Sequence, residues 1–307
     1  MILPSFILRQ TANQQLKHSG IDSLKSCLDK EHFKNYPYEV DYQYNSRGYR
    51  DQEWPDDLTN VVWCIGDSFT VGLGSPRERT WPYLLENKLN QRTINVSMDG
   101  ASNNWIARKT KDLFTEITPS LVILHWSYLH RREITTHSYV EDYINKEWVN
   151  FYNCVKDSSW PACDHRQDFK NLSESIQQEI WTKHYTTDLE RWLNPNIATI
   201  VDDEHLRSFC SLDPKDGEIE DYNNTIECIE SVESVKPAGT TIIHSFIPYF
   251  HGTKEDDPLM LRTMAHLELK EYTHTPLLEI LDLARDSHHY DYKTAKKLVA
   301  MIVNLLP

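Results

Sequence analysis

A chain of 307 residues, of which 39% are hydrophobic and 11% aromatic, can bury a core, and this excludes global disorder. Its formal net charge of −14 at pH 7 disfavours nucleic acids and anionic membrane surfaces as partners, because both repel an acidic protein. Charges interrupt every apolar stretch, and residues 1–9 lack the basic start and cleavage site of a secretion signal. We therefore expect no nucleic-acid partner, no membrane partner and a cytoplasmic location.

The six cysteines are scattered along the chain and form no close repeating pair. This pattern favours free thiols in a reducing compartment over a disulfide framework. Cys163 and His165 are near neighbours but lack a second pair of ligands at a suitable spacing. We therefore expect no metal site.

The amino-terminal residues 1–59 show no clear sheet element, and we interpret them as an ordered leader packed on the core of a domain that spans residues 60–307. The first strand is predicted over residues 61–65, where an apolar run stops at Gly66-Asp67-Ser68. A serine at the end of a buried strand, beside a residue as small as glycine, can stand on a sharp turn and act as a nucleophile. The same tripeptide also occurs in ordinary turns and helix caps.

Strands and helices are predicted to alternate along the rest of the chain. Further strands are predicted over residues 93–97, 121–126, 240–247 and 277–281, and helices over residues 81–89, 104–117, 222–235 and 292–306. Such alternation predicts a three-layer α/β sandwich of the flavodoxin-like type, with a central parallel sheet covered by helices on both faces. Ligands bind these sheets at the carboxyl ends of the strands, which is where Ser68 falls.

The alternation stops over residues 137–220, an acidic segment that contains four tryptophans. We interpret it as an inserted helical cap near the mouth of the site, acting as a lid or a substrate platform. The alternative is a packed helical extension whose tryptophans form its own core.

Asp286 and His289 follow another largely apolar run near the end of the chain. Serine, then aspartate, then histidine is the chain order of one class of hydrolase triad. Two alternatives stay open from these residues alone: Asp286 could cap the last helix, and His288 competes with His289 as the base. Together the residue types indicate an ester-cleaving enzyme.

Several blocks of this sequence resemble the SGNH/GDSL hydrolase superfamily. The first block is matched by Gly66-Asp67-Ser68-Phe69-Thr70-Val71-Gly72, in which phenylalanine replaces the usual leucine. The second is matched by Asn95-Val96-Ser97-Met98-Asp99-Gly100, and the last by Asp286-Ser287-His288-His289 followed by a helix. The resemblance covers residue 41 to the end, apart from the insertion.

The resemblance implies that Ser68 attacks the ester carbonyl, that His289 takes the hydroxyl proton and that Asp286 orients the imidazole. The Asp-x-x-His register of the family favours His289 over His288. The resemblance also implies an oxyanion hole in which the backbone N–H groups of Ser68 and Gly100 face the developing charge. It implies no cofactor, because this ester chemistry needs none.

One family block is altered. Where the family pattern has Gly-x-Asn-Asp, this chain has Ser127-Tyr128-Leu129-His130, so Leu129 occupies the position of the oxyanion-binding asparagine. Loss of one such donor lowers turnover by about a hundred- to a thousandfold. Asn103 and His130 are the first candidates for a substitute donor, and Ser127 is a third.

We predict a serine esterase whose substrate is a small-molecule or polysaccharide ester, with O-deacetylation of a carbohydrate as the preferred reaction. The alternative is a weakly active or inactive protein that keeps the SGNH fold as a carbohydrate-binding or structural component. The chain also resembles divergent superfamily members encoded by tailed bacteriophages, which implies a virion-associated location and a virion assembly partner.

Overall fold

The computed structural model describes residues 11–19, 21–27, 29–129, 214–248, 272–276 and 278–306, together with Phe6, Leu8 and Ser173. For residues 214–221 it describes the helical backbone alone. The cap predicted over residues 137–220 therefore lies outside the described residues, except for Ser173 and the start of a helix at Pro214.

The described elements alternate as expected. In chain order they are β1 Gln15–Leu16, α1 Lys30–Asn35, β2 Tyr42–Gln43, β3 Val62–Gly66, α2 Ser68–Val71, α3 Trp81–Leu89, β4 Thr93–Ser97, α4 Asn103–Glu116, β5 Leu121–Trp126, α5 Pro214–Glu233, β6 Thr241–Phe246 and α6 Tyr292–Asn304. The strands predicted over residues 93–97 and 121–126 are confirmed to the residue, as is the helix over residues 81–89.

Four of these strands form a parallel sheet in the order β4-β3-β5-β6. Strand β3 lies between β4 and β5, so that Gly66 pairs with Ser97 on one side and with His125 on the other. Every residue of β3, β4 and β5 is buried, which is typical of a parallel sheet covered on both faces.

Successive residues of β3 point into two different hydrophobic layers. Trp63 and Ile65 belong to the layer that contains α4 and α5, whereas Val62 and Cys64 belong to the layer that contains α3 and α6. The helical residues of the two layers are Trp105, Ile106, Leu113, Cys228, Ile229 and Val232 in the first, and Trp81, Leu85, Leu298, Val299 and Ile302 in the second. The predicted three-layer α/β sandwich with a central parallel sheet is therefore confirmed.

The strand predicted over residues 277–281 is wrong where the chain is described, because residues 278–281 form no strand. Leu281 is 47% exposed, and the chain turns here toward the start of α6. The Asp282 carboxylate accepts hydrogen bonds from the backbone N–H groups of Lys293 and Thr294, at 2.8 and 2.9 Å. This cap ties the segment to the first turn of α6.

The leader is more regular than its sequence pattern indicates. Strands β1 and β2 pair in an antiparallel two-stranded sheet, so the expectation of no sheet element in residues 1–59 is wrong. Each strand is two residues long, too short to produce a readable alternation. Phe6, Leu8 and Tyr49 lie in the hydrophobic layer beside α4.

Within the described ranges, Cys27, Cys64 and Cys228 are buried and form no disulfide. No described helix has both the length and the apolar character needed to cross a membrane. The described His, Cys, Asp and Glu side chains form no group of three that could hold a metal ion. Cys163 and His165 lie outside the described residues.

Candidate active site

The turn that carries Ser68 follows directly from the central strand. Strand β3 ends at Gly66, and Asp67 caps the short helix α2 because its Oδ1 accepts the backbone N–H of Phe69 at 3.0 Å. Helix α2 begins at Ser68, ends at Val71 and is capped by Gly72, which has a left-handed φ of 74°. The central position of β3 thus places Ser68 at the carboxyl edge of the sheet.

The loop before α6 brings an acid and a histidine to the same edge. His289 Nε2 lies 2.8 Å from Ser68 Oγ, and His289 Nδ1 lies 2.6 Å from Asp286 Oδ2. The other carboxylate oxygen of Asp286 accepts the backbone N–H groups of His288 and His289, each at 3.0 Å. Ser68, His289 and Asp286 therefore form a continuous hydrogen-bonded series, whereas no described hydrogen bond joins His288 to Ser68.

Burial and charge act on the histidine in opposite directions. Burial alone lowers the pKa of His289, but the charge and the hydrogen bond of Asp286, helped by Asp99 and Asp67, outweigh burial and raise it. Burial alone raises the pKa of Asp286, yet the charge and hydrogen bonds of His289 lower it overall. The pair therefore favours a charged carboxylate beside an imidazole that accepts a proton readily.

An aromatic wall supports the imidazole. The Phe69 ring lies 4.6 Å from the His289 ring and 5.4 Å from the Tyr290 ring, centroid to centroid. Phe69 is 1% exposed and belongs to the hydrophobic layer of α3 and α6. Phe69, which stands where the SGNH/GDSL pattern has leucine, thus packs directly against the histidine.

Asp67 has a second contact that sequence reasoning missed. Ser127 Oγ–H donates to Asp67 Oδ2 at 2.5 Å, which ties the turn after β3 to the residue after β5. Both side chains are fully buried. One feature of the sequence indicates this contact. Asp67 and Ser127 each directly follow a central strand, and the carboxyl ends of neighbouring parallel strands meet at one edge of the sheet.

The sequence matches no family model and no curated protein. Among solved structures, a proposed lipolytic protein of the G-D-S-L family from Desulfitobacterium hafniense is 13% identical, with a TM-score of 0.40 over 81% of this chain and 100% of that one. A proposed acylhydrolase from Bacteroides fragilis is 11% identical, with a TM-score of 0.36 over 82% of this chain and 88% of that one. At such low identity and TM-score, neither similarity bears on the activity of this chain.

The architecture agrees with the SGNH/GDSL resemblance. The first motif block lies at the end of the central strand, the second at the end of the neighbouring strand β4, and the last directly before α6. Gly100 lies in the turn between β4 and α4 with a left-handed φ of 73°. That turn starts from the same sheet edge as Ser68, because the backbone N–H of Met98 donates to Gly66 O at 3.3 Å.

Asn103 is the first residue of α4 and is completely buried. Its Oδ1 accepts the backbone N–H of Ser127 at 2.8 Å, while its Nδ2 donates to Thr225 Oγ1 at 3.0 Å and contacts Ser127 O at 3.4 Å. To face a substrate oxyanion, the Asn103 amide would have to give up one of these contacts. Leu129, which stands where the SGNH/GDSL pattern has asparagine, is 3% exposed within the hydrophobic layer of α4 and α5, and His130 lies outside the described residues.

Proposed function

We propose that this protein is a serine hydrolase of carboxylic esters that uses Ser68 as nucleophile, His289 as general base and Asp286 as the residue that orients His289. The observation that carries the proposal is the series of short contacts, 2.8 Å from Ser68 Oγ to His289 Nε2 and 2.6 Å from His289 Nδ1 to Asp286 Oδ2. A nucleophile within hydrogen-bonding distance of a base, itself held by a third group, is the geometry of covalent ester cleavage.

The reaction would proceed in two halves. Ser68 Oγ bonds to the ester carbonyl carbon as His289 takes its proton, and His289 then gives that proton to the leaving alcohol as the carbon–oxygen bond breaks. Water, activated by the same imidazole, then cleaves the acyl-enzyme. The backbone N–H groups of Ser68 and Gly100 are the proposed donors to the oxyanion.

For the substrate class we propose an O-acetylated carbohydrate, either a small molecule or a polysaccharide. The support is the composition of residues 137–220, whose tryptophans and acidic residues suit stacking and hydrogen bonding to sugar rings. We also propose a virion-associated location with an assembly partner, which would fit this substrate class.

Hydrolysis of p-nitrophenyl acetate by the wild type and by Ser68→Ala tests the mechanism. We expect turnover by the wild type and none above buffer for Ser68→Ala, because the variant lacks the attacking oxygen. An organophosphonate should add its mass to the wild type at Ser68 and leave Ser68→Ala unlabelled. Equal turnover by both proteins would remove Ser68 from the mechanism.

A second candidate function rests on Leu129. Its side chain is packed in the core, where the family places an oxyanion donor, and this favours a weakly active or inactive SGNH scaffold that binds carbohydrate or serves a structural role. In that case the wild type would hydrolyse neither p-nitrophenyl acetate nor an acetylated sugar, and the phosphonate would not label Ser68. Labelling without turnover would instead indicate an intact nucleophile that requires another ester.

A further inference from the structure

The leader reaches the acid–histidine loop through a buried ion pair. Arg285 Nε and Nη2 donate to the two carboxylate oxygens of Asp22 at 2.9 and 3.0 Å. Asp22 is completely buried and the Arg285 side chain is 4% exposed. Arg285 is the immediate neighbour of Asp286, so a residue of the leader is bonded one position away from the acid of the site.

The same carboxylate is bonded to a second residue of the leader. Tyr42 O–H donates to Asp22 Oδ2 at 2.6 Å, and the Tyr42 oxygen accepts the backbone N–H of Gly74 at 2.8 Å. The backbone N–H of Arg285 donates to Gly74 O at 3.0 Å. Asp22, Tyr42, Gly74 and Arg285 thus close a ring of hydrogen bonds, which we call the leader ring.

Gly74 is the point at which the leader ring touches the site. A Cβ atom at residue 74 would lie 2.8 Å from Asp286 Cγ and 2.9 Å from its Oδ1, so the backbone of Gly74 lies directly behind the carboxylate. Both polar backbone groups of Gly74 are held by the ring, the N–H by Tyr42 and the carbonyl by Arg285. Any shift of the ring would therefore be passed to Asp286.

We propose that the leader ring is a positioning device for the site, in which Asp22, Tyr42 and Arg285 hold Gly74 against Asp286 and so set the contact between Asp286 and His289. The inference rests on the proposed function of Ser68, His289 and Asp286. In this role, residues of the leader contribute to the geometry of the site. Tyr42 suits this role because burial raises the pKa of its hydroxyl, which keeps its proton as a donor to Asp22.

The test compares two buried tyrosines of the leader. Tyr42→Phe removes the hydroxyl that joins Asp22 to Gly74, whereas Tyr49→Phe removes a hydroxyl with no hydrogen-bond partner in the described part of the chain. Both tyrosines are completely buried, so the two variants make the same chemical change at equally buried positions. We expect Tyr42→Phe to lower kcat on p-nitrophenyl acetate by roughly ten- to a hundredfold with little change in KM, and Tyr49→Phe to change neither.

The pKa of His289, followed by NMR, provides a readout that a merely structural role would not move. The carboxylates that raise this pKa are Asp286, Asp99 and Asp67, and the His288 ring lies 4.9 Å away. A displaced Asp286 holds the imidazolium less well, so Tyr42→Phe should lower the pKa of His289. In the Asp286→Asn background, Tyr42→Phe should lower it no further, because the ring acts through Asp286.

Asp22→Asn keeps the shape of the side chain and tests the ring independently if Tyr42→Phe does not fold. Variants that lose thermal stability but keep the wild-type pKa of His289 would overturn the proposal, as would an equal pKa change in the Asp286→Asn background. The NMR titration needs no turnover. A wild type that is neither labelled nor active would therefore end the proposed function, while the titration would still decide whether the ring holds Asp286 against His289.

Discussion

At the scale of single residues, His289 is the group on which the site depends. Its imidazole is buried, packed against the Phe69 ring, and joined to Ser68 on one side and Asp286 on the other. Burial alone would make it a poor base at neutral pH, because a charged imidazolium is costly away from water. Asp286 reverses this effect and raises the pKa of His289 above its ordinary value of 6.5.

On the proposed mechanism, the pH dependence of ester hydrolysis follows from this balance. The base must be neutral, so kcat/KM should rise with pH through the raised pKa of His289. Asp286→Asn removes the main charge that raises this pKa and leaves burial to lower it, so the rising limb should move to lower pH while kcat falls by about ten-thousandfold. pH–rate profiles of both proteins measure the shift.

Asp282→Asn is the matched control for that change. It removes a carboxylate from the same loop, but Asp282 caps α6 and has no described contact with His289. We expect this variant to unfold more easily and to keep the wild-type rising limb. If the rising limb of the pH–rate profile lies at the same pH in Asp286→Asn as in the wild type, the role assigned to Asp286 is wrong.

At the scale of elements, the turn between α2 and α3 joins Ser68 to the rest of the candidate site. The Arg50 side chain is buried, and its Nη1 donates to Gly72 O at 2.5 Å while its Nη2 donates to Ser75 O at 2.8 Å. Gly74, between these two residues, has a left-handed φ of 75°. The turn is therefore held by Arg50 on one side and by the leader ring on the other.

Substitution at Gly74 tests how tightly this turn is packed against the acid. Gly74→Ala places a methyl group 2.8 Å from both Ala284 Cβ and Asp286 Cγ, in addition to the cost of a left-handed backbone, which is roughly 1–2 kcal/mol. We expect kcat to fall by at least about tenfold, because Asp286 must move. Urea unfolding and steady-state kinetics measure the two effects.

Gly239→Ala separates backbone strain from crowding. Gly239 has a φ of 87°, and an added Cβ there meets no atom of the described residues within 4 Å. This variant should lose only about 1 kcal/mol of unfolding free energy and keep full activity. If Gly74→Ala were as stable and as active as Gly239→Ala, the close approach of residue 74 to Asp286 would have no consequence.

At the scale of the whole molecule, a buried histidine links folding to pH. His125, in β5, is fully buried between Trp81 and Tyr290, and burial lowers its pKa from 6.5 to about 3. The unfolded chain therefore takes up a proton at this residue at a higher pH than the folded chain. This contribution to stability is present above about pH 6.5 and is lost as the pH falls toward 3.

Replacing His125 by phenylalanine should remove that dependence. Between pH 7 and pH 5 the wild type should lose about 2 kcal/mol of unfolding free energy through His125, and His125→Phe should lack this loss. Urea unfolding of both proteins at the two pH values gives the difference. His289, whose pKa is raised, changes the unfolding free energy with pH in the opposite direction, but it does so equally in both proteins and cancels from their difference. If the unfolding free energies of the two proteins have the same pH dependence, the assignment to His125 is wrong.

The sequence by itself determined the elements of the sheet and the residue types of the site. Strand β5 was predictable to the residue because it is a short, largely apolar run between Ser120 and Ser127, and β4 because Ile94 and Val96 alternate with polar residues. Ser68, Asp286 and His289 were recognisable because their spacing and order agree with a known hydrolase pattern. Residues 277–281 were predicted to form a strand because their hydrophobic pattern does not reveal that the next residue, Asp282, caps α6.

Only the tertiary structure decided which of these residues meet. The contact between Ser68 and His289 joins positions 221 residues apart, and that between Asp22 and Arg285 joins positions 263 apart. Hydrophobic periodicity describes which face of an element is buried, but it does not specify which polar side chains meet across the sheet edge. For that reason the sequence predicts only that the leader packs on the core, whereas the structure bonds it to the loop that carries Asp286.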